Sequence, residues 1–256
     1  MAEQGLFHID PISQFVIKPL FELNIAGYNL AYTNSSLFMT ISVVVIGLFF
    51  YIAGKSRDIV PGRMQVAAEM AYESISDMVR ENAGPEGMKY FPLIFSVFFL
   101  VLLGNMLGMI PGSFTFTSHI IVTFAMAGAL FTFITLLGLY LHGTHFIGRF
   151  LPPGVPLLMA PLIFLLEVIS YFMRPITHSV RLFANMMAGH MVLKVFAYFA
   201  LGLITSGSIS LMVLGLIPLL VNVALIALEF FVAGLQAYIF TILTCVYLRD
   251  ALVIEH

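Results

Sequence analysis

The chain has 256 residues; 61% are hydrophobic and only 9% are charged, and the mean hydropathy is +1.04. A soluble domain is about 45–50% apolar and about 25% charged, so this chain has too little polar surface to coat a water-soluble enzyme. The 11 basic against 13 acidic residues leave no positive surplus for nucleic acid, and the single cysteine, Cys245, excludes a disulfide framework or a multi-thiolate metal centre. The class that remains is an all-α polytopic membrane protein, expected as one membrane domain over 1–256.

The opening segment, 1–34, carries Glu3, Asp10 and Glu22 rather than a basic start, and no A-x-A-like site follows the next apolar run. It reads as an outward-facing segment and not a cleaved signal peptide. A helix crosses the hydrocarbon with about 20 apolar residues. Runs of that kind lie at 35–54, about 90–111 and about 119–141, within 156–203, and at 210–248. About five membrane-inserted helices are therefore expected. The last two regions exceed a minimal span, so they must tilt strongly, lie partly along the membrane, or break.

Segment 63–82 differs from the spans. Met64, Ala67, Ala68, Ala71, Ile75, Met78 and Val79 recur at helical spacing, with Glu69, Glu73, Asp77 and Glu81 mostly on the other side. This predicts an amphipathic helix on the inner membrane surface, serving as an interfacial anchor or as a docking face for a stalk-like partner. The N-A-G-P-E-G stretch at 82–87 is expected to end it in a turn. Lys55, Arg57, Arg63, Arg80 and Lys89 lie between spans one and two, Arg149 follows span three and Arg249 follows span five; 112–118 and 202–210 hold no Lys or Arg. By the positive-inside rule the N-terminus faces outward and the C-terminus faces the cytoplasm.

Spans one to three carry no Lys, Arg, Asp or Glu in their interior, whereas span four carries Glu167, Arg174, His178, Arg181, His190 and Lys194, and span five carries Glu229. A charge at bilayer centre costs about 2.5–3.5 kcal/mol on insertion scales, so this cluster needs an ion path, a partner charge or a water-filled cavity. Glu167, Arg174, His178, Arg181 and Asn185 are spaced seven, four, three and four apart, which places them on one helix stripe. Asn222, Glu229, Gln236 and Tyr247 form a second stripe. Spans four and five run antiparallel, so if Arg181 faces Gln236, then His190 and Glu229 meet in the outer half and Glu167 lies toward the inner side. Two polar zones at different depths, separated by one permanent cation, suit a proton path that must not run straight through. His changes charge near neutral pH; Arg cannot be deprotonated, repels a passing proton and attracts a carboxylate brought by another chain.

Plainer readings stand beside these. Arg181 could pair with an acid of its own chain, although none lies within a turn. Arg174, before Pro175, could snorkel to the surface; His178 could be a packing residue; His190 and Glu229 could be a buried pair without transport. Asn105 reads first as a helix–helix hydrogen bond. His142 and His145 are too few for a metal site. No cofactor is expected, because the two intramembrane histidines share one segment and do not face each other as haem ligands would.

Residues 174–190, R-P-I-T-H-S-V-R-L-F-A-N-M-M-A-G-H, closely resemble the signature of subunit a of F-type ATP synthases, and the stretch from Glu229 through Gln236 to A-Y-I-F-T-I-L-T-C-V-Y-L at 237–248 is similar to that family's last helix. The resemblance implies that 156–248 is an ion-conducting helix pair and that the chain is a proton-translocating stator subunit. It implies that Arg181 is the arginine facing the c-ring carboxylates and Asn185 the asparagine one turn later. His190 and Glu229 match the outer half-channel pair, in the His-then-Glu order. Gln236 matches the glutamine opposite the arginine, and Glu167 an acid of the inner half-channel; Asn222, with Asn105 and His119, would assist at the outer side, and His178 and Arg174 are further candidates for proton translocation. The partners implied are the c-ring, peripheral-stalk b-type subunits and membrane lipid, in a bacterial inner membrane or alternatively a mitochondrial one; the opening residues carry no transit-peptide pattern. A free-standing proton-coupled transporter is the alternative, and it would need an internal repeat and a substrate site at broken helices. A non-conducting scaffold subunit is a further rival, and it would leave the Arg181 face without purpose.

Overall fold

The computed structural model describes residues 15–25, 28–55, 61–110, 113–143, 145–148, 150 and 159–253. Glu3, Asp10, Arg57 and Arg149, which entered the orientation argument, lie outside the described residues. Two antiparallel strands, β1 (Pro19–Ile25) and β2 (Tyr28–Thr33), open the described chain. This hairpin is a departure from the all-helical expectation, in the segment where the sequence shows no span. Among the described residues eight α-helices follow: α1 (Asn34–Lys55), α2 (Arg63–Gly87), α3 (Phe91–Gly108), α4 (Ile120–His142), the single turn α5 (His145–Gly148), α6 (Ala160–Ile204), the short α7 (Ile209–Leu214) and α8 (Leu216–Leu252). Five helical stretches of the described chain are long and apolar enough to cross a membrane, so this is an all-α polytopic membrane protein with a small hairpin near its start.

α6 has 45 residues, which is about 68 Å at 1.5 Å per residue. A bilayer with its headgroups is about 40–45 Å thick. α6 therefore tilts or projects, as its sequence length requires. α8, at 37 residues, is in the same position, and Gly215 separates it from α7. These two helices pack on each other, with α4 against α6 and α3 against α8.

α2 meets the sequence reading at its end and departs from it on one face. The helix breaks inside the expected turn, at Gly84, whose φ of 75° is left-handed, and a short turn restarts at Pro85 and runs to Gly87. Glycine enters that region at little cost, and Pro85 tolerates the restart because its missing N–H falls where a first helical turn has no partner anyway. Its apolar stripe is also committed inside the chain rather than left to lipid. Ile75, Met78, Val79 and Ala83 are buried in one cluster with Phe91 and Ile94 of α3, Ile134 of α4 and Cys245, Leu248 and Leu252 of α8. Its N-terminal part, with Met64, Met70 and Tyr72, stays exposed.

A second cluster lies deeper, where Val101 of α3, Ala127 and Leu130 of α4, Leu182 of α6 and Ala237 and Phe240 of α8 meet. Fully buried Asn105 sits on this joint and donates from Nδ2 to the Ala233 carbonyl of α8 at 3.3 Å. Asn105→Leu is expected to weaken the α3–α8 contact by about 0.6–1.7 kcal/mol, the range of interhelical side-chain bonds in membranes. Thermal denaturation of the detergent-solubilised protein would measure it, and an unchanged midpoint would deny the bond any weight.

Candidate functional site: an exposed arginine and a buried histidine–glutamate pair

The polar stripe of α6 lies along the border between its packed and open faces. Tyr171, Pro175, His178, Ser179, Leu182 and Met186 are buried, while Arg181, Ala184, Asn185 and Ala188 are exposed. Three residues along a helix leave a separation of about 60° around it. That angle puts His178 on the inward edge of the stripe and Arg181 on the outward edge. The stripe expected from spacing thus divides: Arg181 and Asn185 face out, Glu167 and Arg174 are half-buried, and His178 is inside.

Among the described residues Arg181 has no ion-pair partner, so pairing within its own chain does not account for it. Asn185, one turn further, donates from Nδ2 to Gln236 Oε1 of α8 at 2.8 Å. Gln236 is buried. The bond fixes the register of α6 on α8 and pairs Gln236 with Asn185, one turn beyond the Arg181 level that the antiparallel count gave it.

Further along α6, His190 Nδ1 lies 2.6 Å from Glu229 Oε1, with side-chain exposures of 11% and 5%. The ring's other nitrogen, Nε2, lies 3.0 Å from the Gly108 carbonyl and 3.0 Å from Thr115 Oγ1. A carbonyl only accepts, so the Gly108 bond needs the proton on Nε2. Nδ1 then faces the carboxyl, and one proton between Nδ1 and Oε1 can rest on either group. Gly108 is the last residue of α3, where helix carbonyls lack intrahelical donors, and the histidine supplies one.

Gly189 makes the pair possible. A Cβ at this position would lie 2.6 Å from Glu229 Oε1 and 2.9 Å from its Cδ, closer than normal packing allows. Gly189→Ala is expected to push the carboxyl off His190 while leaving the rest of α6 in place, cutting proton flux through the assembled complex by about tenfold or more, a part of the about 10²–10⁴-fold that a positioned acid–base group contributes in full. Proton uptake by reconstituted vesicles checks this, and parental flux would count against the contact.

The remaining candidates are dispersed. Arg174 does not snorkel freely: its Nη1 donates to Asp250 Oδ2 of α8 at 2.9 Å, and its guanidinium lies over the rings of Tyr171 and Tyr247 at 5.3 and 5.1 Å. His178 stacks on Phe240, with ring centroids 3.8 Å apart. Asn222 is on α8 one heptad before Glu229, with its Oδ1 buried and without a protein partner. His119 stacks on Phe114 at 5.1 Å. His142 closes α4 and donates from Nε2 to the Ala251 carbonyl at 3.1 Å, so it is a helix tie; no group of three metal-ligating side chains occurs among the described residues. Sequence reasoning missed Thr115, Gly108, Gly189 and Asp250. Gly189 stands directly before His190, a small residue at a site of close approach; the other three belong to different elements, and no local pattern links them to α6.

The family model for the ATP synthase A chain matches residues 36–249. The chain is 54% identical over 253 residues to the ATP synthase subunit a of Parvibaculum lavamentivorans, covering 98% of this chain and 97% of that one. It is 51% identical over 242 residues to the ATP synthase subunit a of Rhodospirillum rubrum, covering 94% and 98%. It is 51% identical over 249 residues to that of Mesorhizobium japonicum, covering 97% and 98%.

Proposed function

The chain belongs to the ATP synthase A chain family, and from that premise we propose that it is the proton-translocating stator subunit that hands protons to and from the carboxylates of a rotating c-ring. The observation that carries the reading is the offset between two groups. Arg181 stands on the open face of α6 without an ion-pair partner among the described residues, and the His190–Glu229 pair is buried nine residues away, about 13 Å along the helix.

A proton enters from the outer side through His190 and Glu229, with Asn222, Asn105 and His119 at the approach. It neutralises a ring carboxylate, which can then turn into lipid. After nearly a full turn that carboxylate meets the inner half-channel near Glu167, gives up its proton, and is drawn to Arg181, with Asn185 and Gln236 holding the helix pair in register. Arg174 and His178 line the inner side. The membrane potential contributes about 2.3 kcal/mol per charge per 100 mV, which makes the rotation directional. ATP is made elsewhere in the complex, and this chain forms none itself. It sits in a bacterial inner membrane with its N-terminus outward and its C-terminus cytoplasmic, beside b-type stalk subunits and lipid.

Cysteine cross-linking tests the face. Ala184 is exposed on the Arg181 side, and Leu182 is fully buried. Ala184→Cys is expected to form a disulfide with a cysteine placed beside the rotor carboxylate, and Leu182→Cys is not. Cross-linking at 182 alone would reverse the assignment.

A further inference from the structure

We propose that the protein holds one amine-bearing phospholipid, of the phosphatidylethanolamine type, in a cavity where α1, α2 and α3 meet, with its ammonium between Glu69 and Glu73. The cavity has a volume of about 600 Å³, within the about 300–1,000 Å³ of small-molecule sites, which are mostly apolar with a few placed polar groups. Phe50 of α1, Tyr72 of α2 and Phe91 and Phe95 of α3 line it, with Glu69 and Glu73 on its α2 side. Among the described residues no Lys or Arg lines it. The two carboxylates are exposed, stand one turn apart, and have no ion-pair partner among the described residues. Gln65 Nε2 donates to Glu69 Oε1 at 2.9 Å, which orients that carboxylate and leaves its charge in place. Like charges at this spacing repel, and one ammonium between them relieves the repulsion. The aromatic wall adds to the attraction, since a cation within about 6 Å of a ring face is held by it. Tyr72 packs on Phe91 with ring centroids 4.7 Å apart and lies 6.3 Å from Phe95.

Depth selects a lipid as the occupant. The cavity joins the last turns of α1, the amphipathic α2 and the first turns of α3, the ends that the positive-inside rule places at the inner surface. It therefore opens at headgroup level. Lys55 directly follows Gly54 of the cavity wall, and Arg63 opens α2 two residues before Gln65; both are exposed. Acids inside the cavity and bases beside it match a zwitterion whose ammonium enters first and whose phosphate follows. From the cavity Phe91, Phe95 and Phe99 step along α3 at four-residue intervals, with neighbouring rings 5.3 and 4.8 Å apart. Phe50 of α1 meets both Phe95 and Phe99 at 5.0 Å. This aromatic seam follows α3 into the bilayer, the direction that acyl chains take. A partner helix fits the space less well: at about 10–12 Å across, it would fill the volume in little more than one turn.

The test offers the intact, detergent-purified complex equal amounts of phosphatidylethanolamine and phosphatidylglycerol with the same acyl chains, and reads the retained lipid by native mass spectrometry. Glu69→Gln combined with Glu73→Gln removes the charge at two exposed positions, so folding should be little affected. The parent is expected to retain about three- to tenfold more of the amine lipid than this double variant, the joint yield of a cation over an aromatic wall and an exposed ion pair, with retention of the glycerol-headgroup lipid unchanged. Equal retention of the amine lipid by parent and double variant overturns the proposal. Ala68→Leu, from α2, narrows the cavity while both carboxylates stay, and is expected to lower retention as well. Parental retention in Ala68→Leu would place the lipid on the acidic surface outside the cavity and overturn the site. Electron cryo-microscopy of the parent complex in phosphatidylethanolamine is expected to show a phospholipid headgroup between Glu69 and Glu73, and a helix or side chain of a stalk subunit filling that space would likewise overturn it.

Discussion

Arg181→Ala is expected to abolish coupled ATP synthesis while the complex still assembles. A guanidinium about 4 Å from a carboxylate attracts it by about 4 kcal/mol at an effective dielectric of about 20. At about 1.4 kcal/mol per tenfold, this shifts the carboxylate toward its ionised form by about three powers of ten. Without that bias a protonated carboxylate passes from one access path to the other without releasing its proton, and the ring loses its direction. The loss in coupled rate is therefore expected to reach at least about 100-fold. Folding should suffer little, because Arg181 is exposed and pairs with no acid among the described residues. Arg181→Lys is expected to fail nearly as badly, since an ammonium in a poorly hydrated site can shed its proton and a guanidinium cannot. ATP synthesis by reconstituted complexes, normalised to assembled subunit, measures both. A lysine variant that couples normally would mean that charge alone suffices.

The second large effect belongs to the outer pair. His190→Ala or Glu229→Gln each leaves half of the 2.6 Å contact. A positioned proton donor or acceptor contributes about 10²–10⁴-fold, so each single variant is expected to lose at least about 100-fold in proton flux. Exchanging the two residues, His190→Glu with Glu229→His, keeps one imidazole and one carboxyl at the same depth. That double variant is expected to recover much of the flux, although the Nε2 bonds to Gly108 and Thr115 are lost. If the exchange is no better than either single change, the pair acts through its fixed surroundings and not as a proton-sharing unit.

Much of this was legible in the residues. The five crossings follow from the lengths of the apolar runs, and the 45 residues of α6 follow from a region too long to stand upright. The depth match of His190 with Glu229 follows from a rise of 1.5 Å per residue on two antiparallel helices. Helical spacing also grouped Glu167, Arg174, His178, Arg181 and Asn185, but an angle does not say which side of a stripe is packed. That depended on Phe240 and Leu182, which close the α6–α8 joint and draw His178 inward. The Arg174–Asp250 pair was hidden because its members are 76 positions apart and on different helices. The end of α2 was legible in N-A-G-P-E-G, since Gly84 takes the left-handed backbone that breaks the helix inside that stretch. Thr115 gave no signal, because a threonine in a polar loop is common, and only the fold brings it under His190.

One fixed cation facing a rotor, at the boundary between two offset proton paths, is the claim on which the rest depends. The most direct measurement is the distance from the Arg181 guanidinium to the nearest ring carboxylate in an electron cryo-microscopy structure of the whole complex. α6 is expected to present its Arg181 edge to the ring, with guanidinium and carboxylate separated by no more than about one water, roughly 3–6 Å. A ring seated on another face, with Arg181 turned to lipid or to its own subunit, would contradict it.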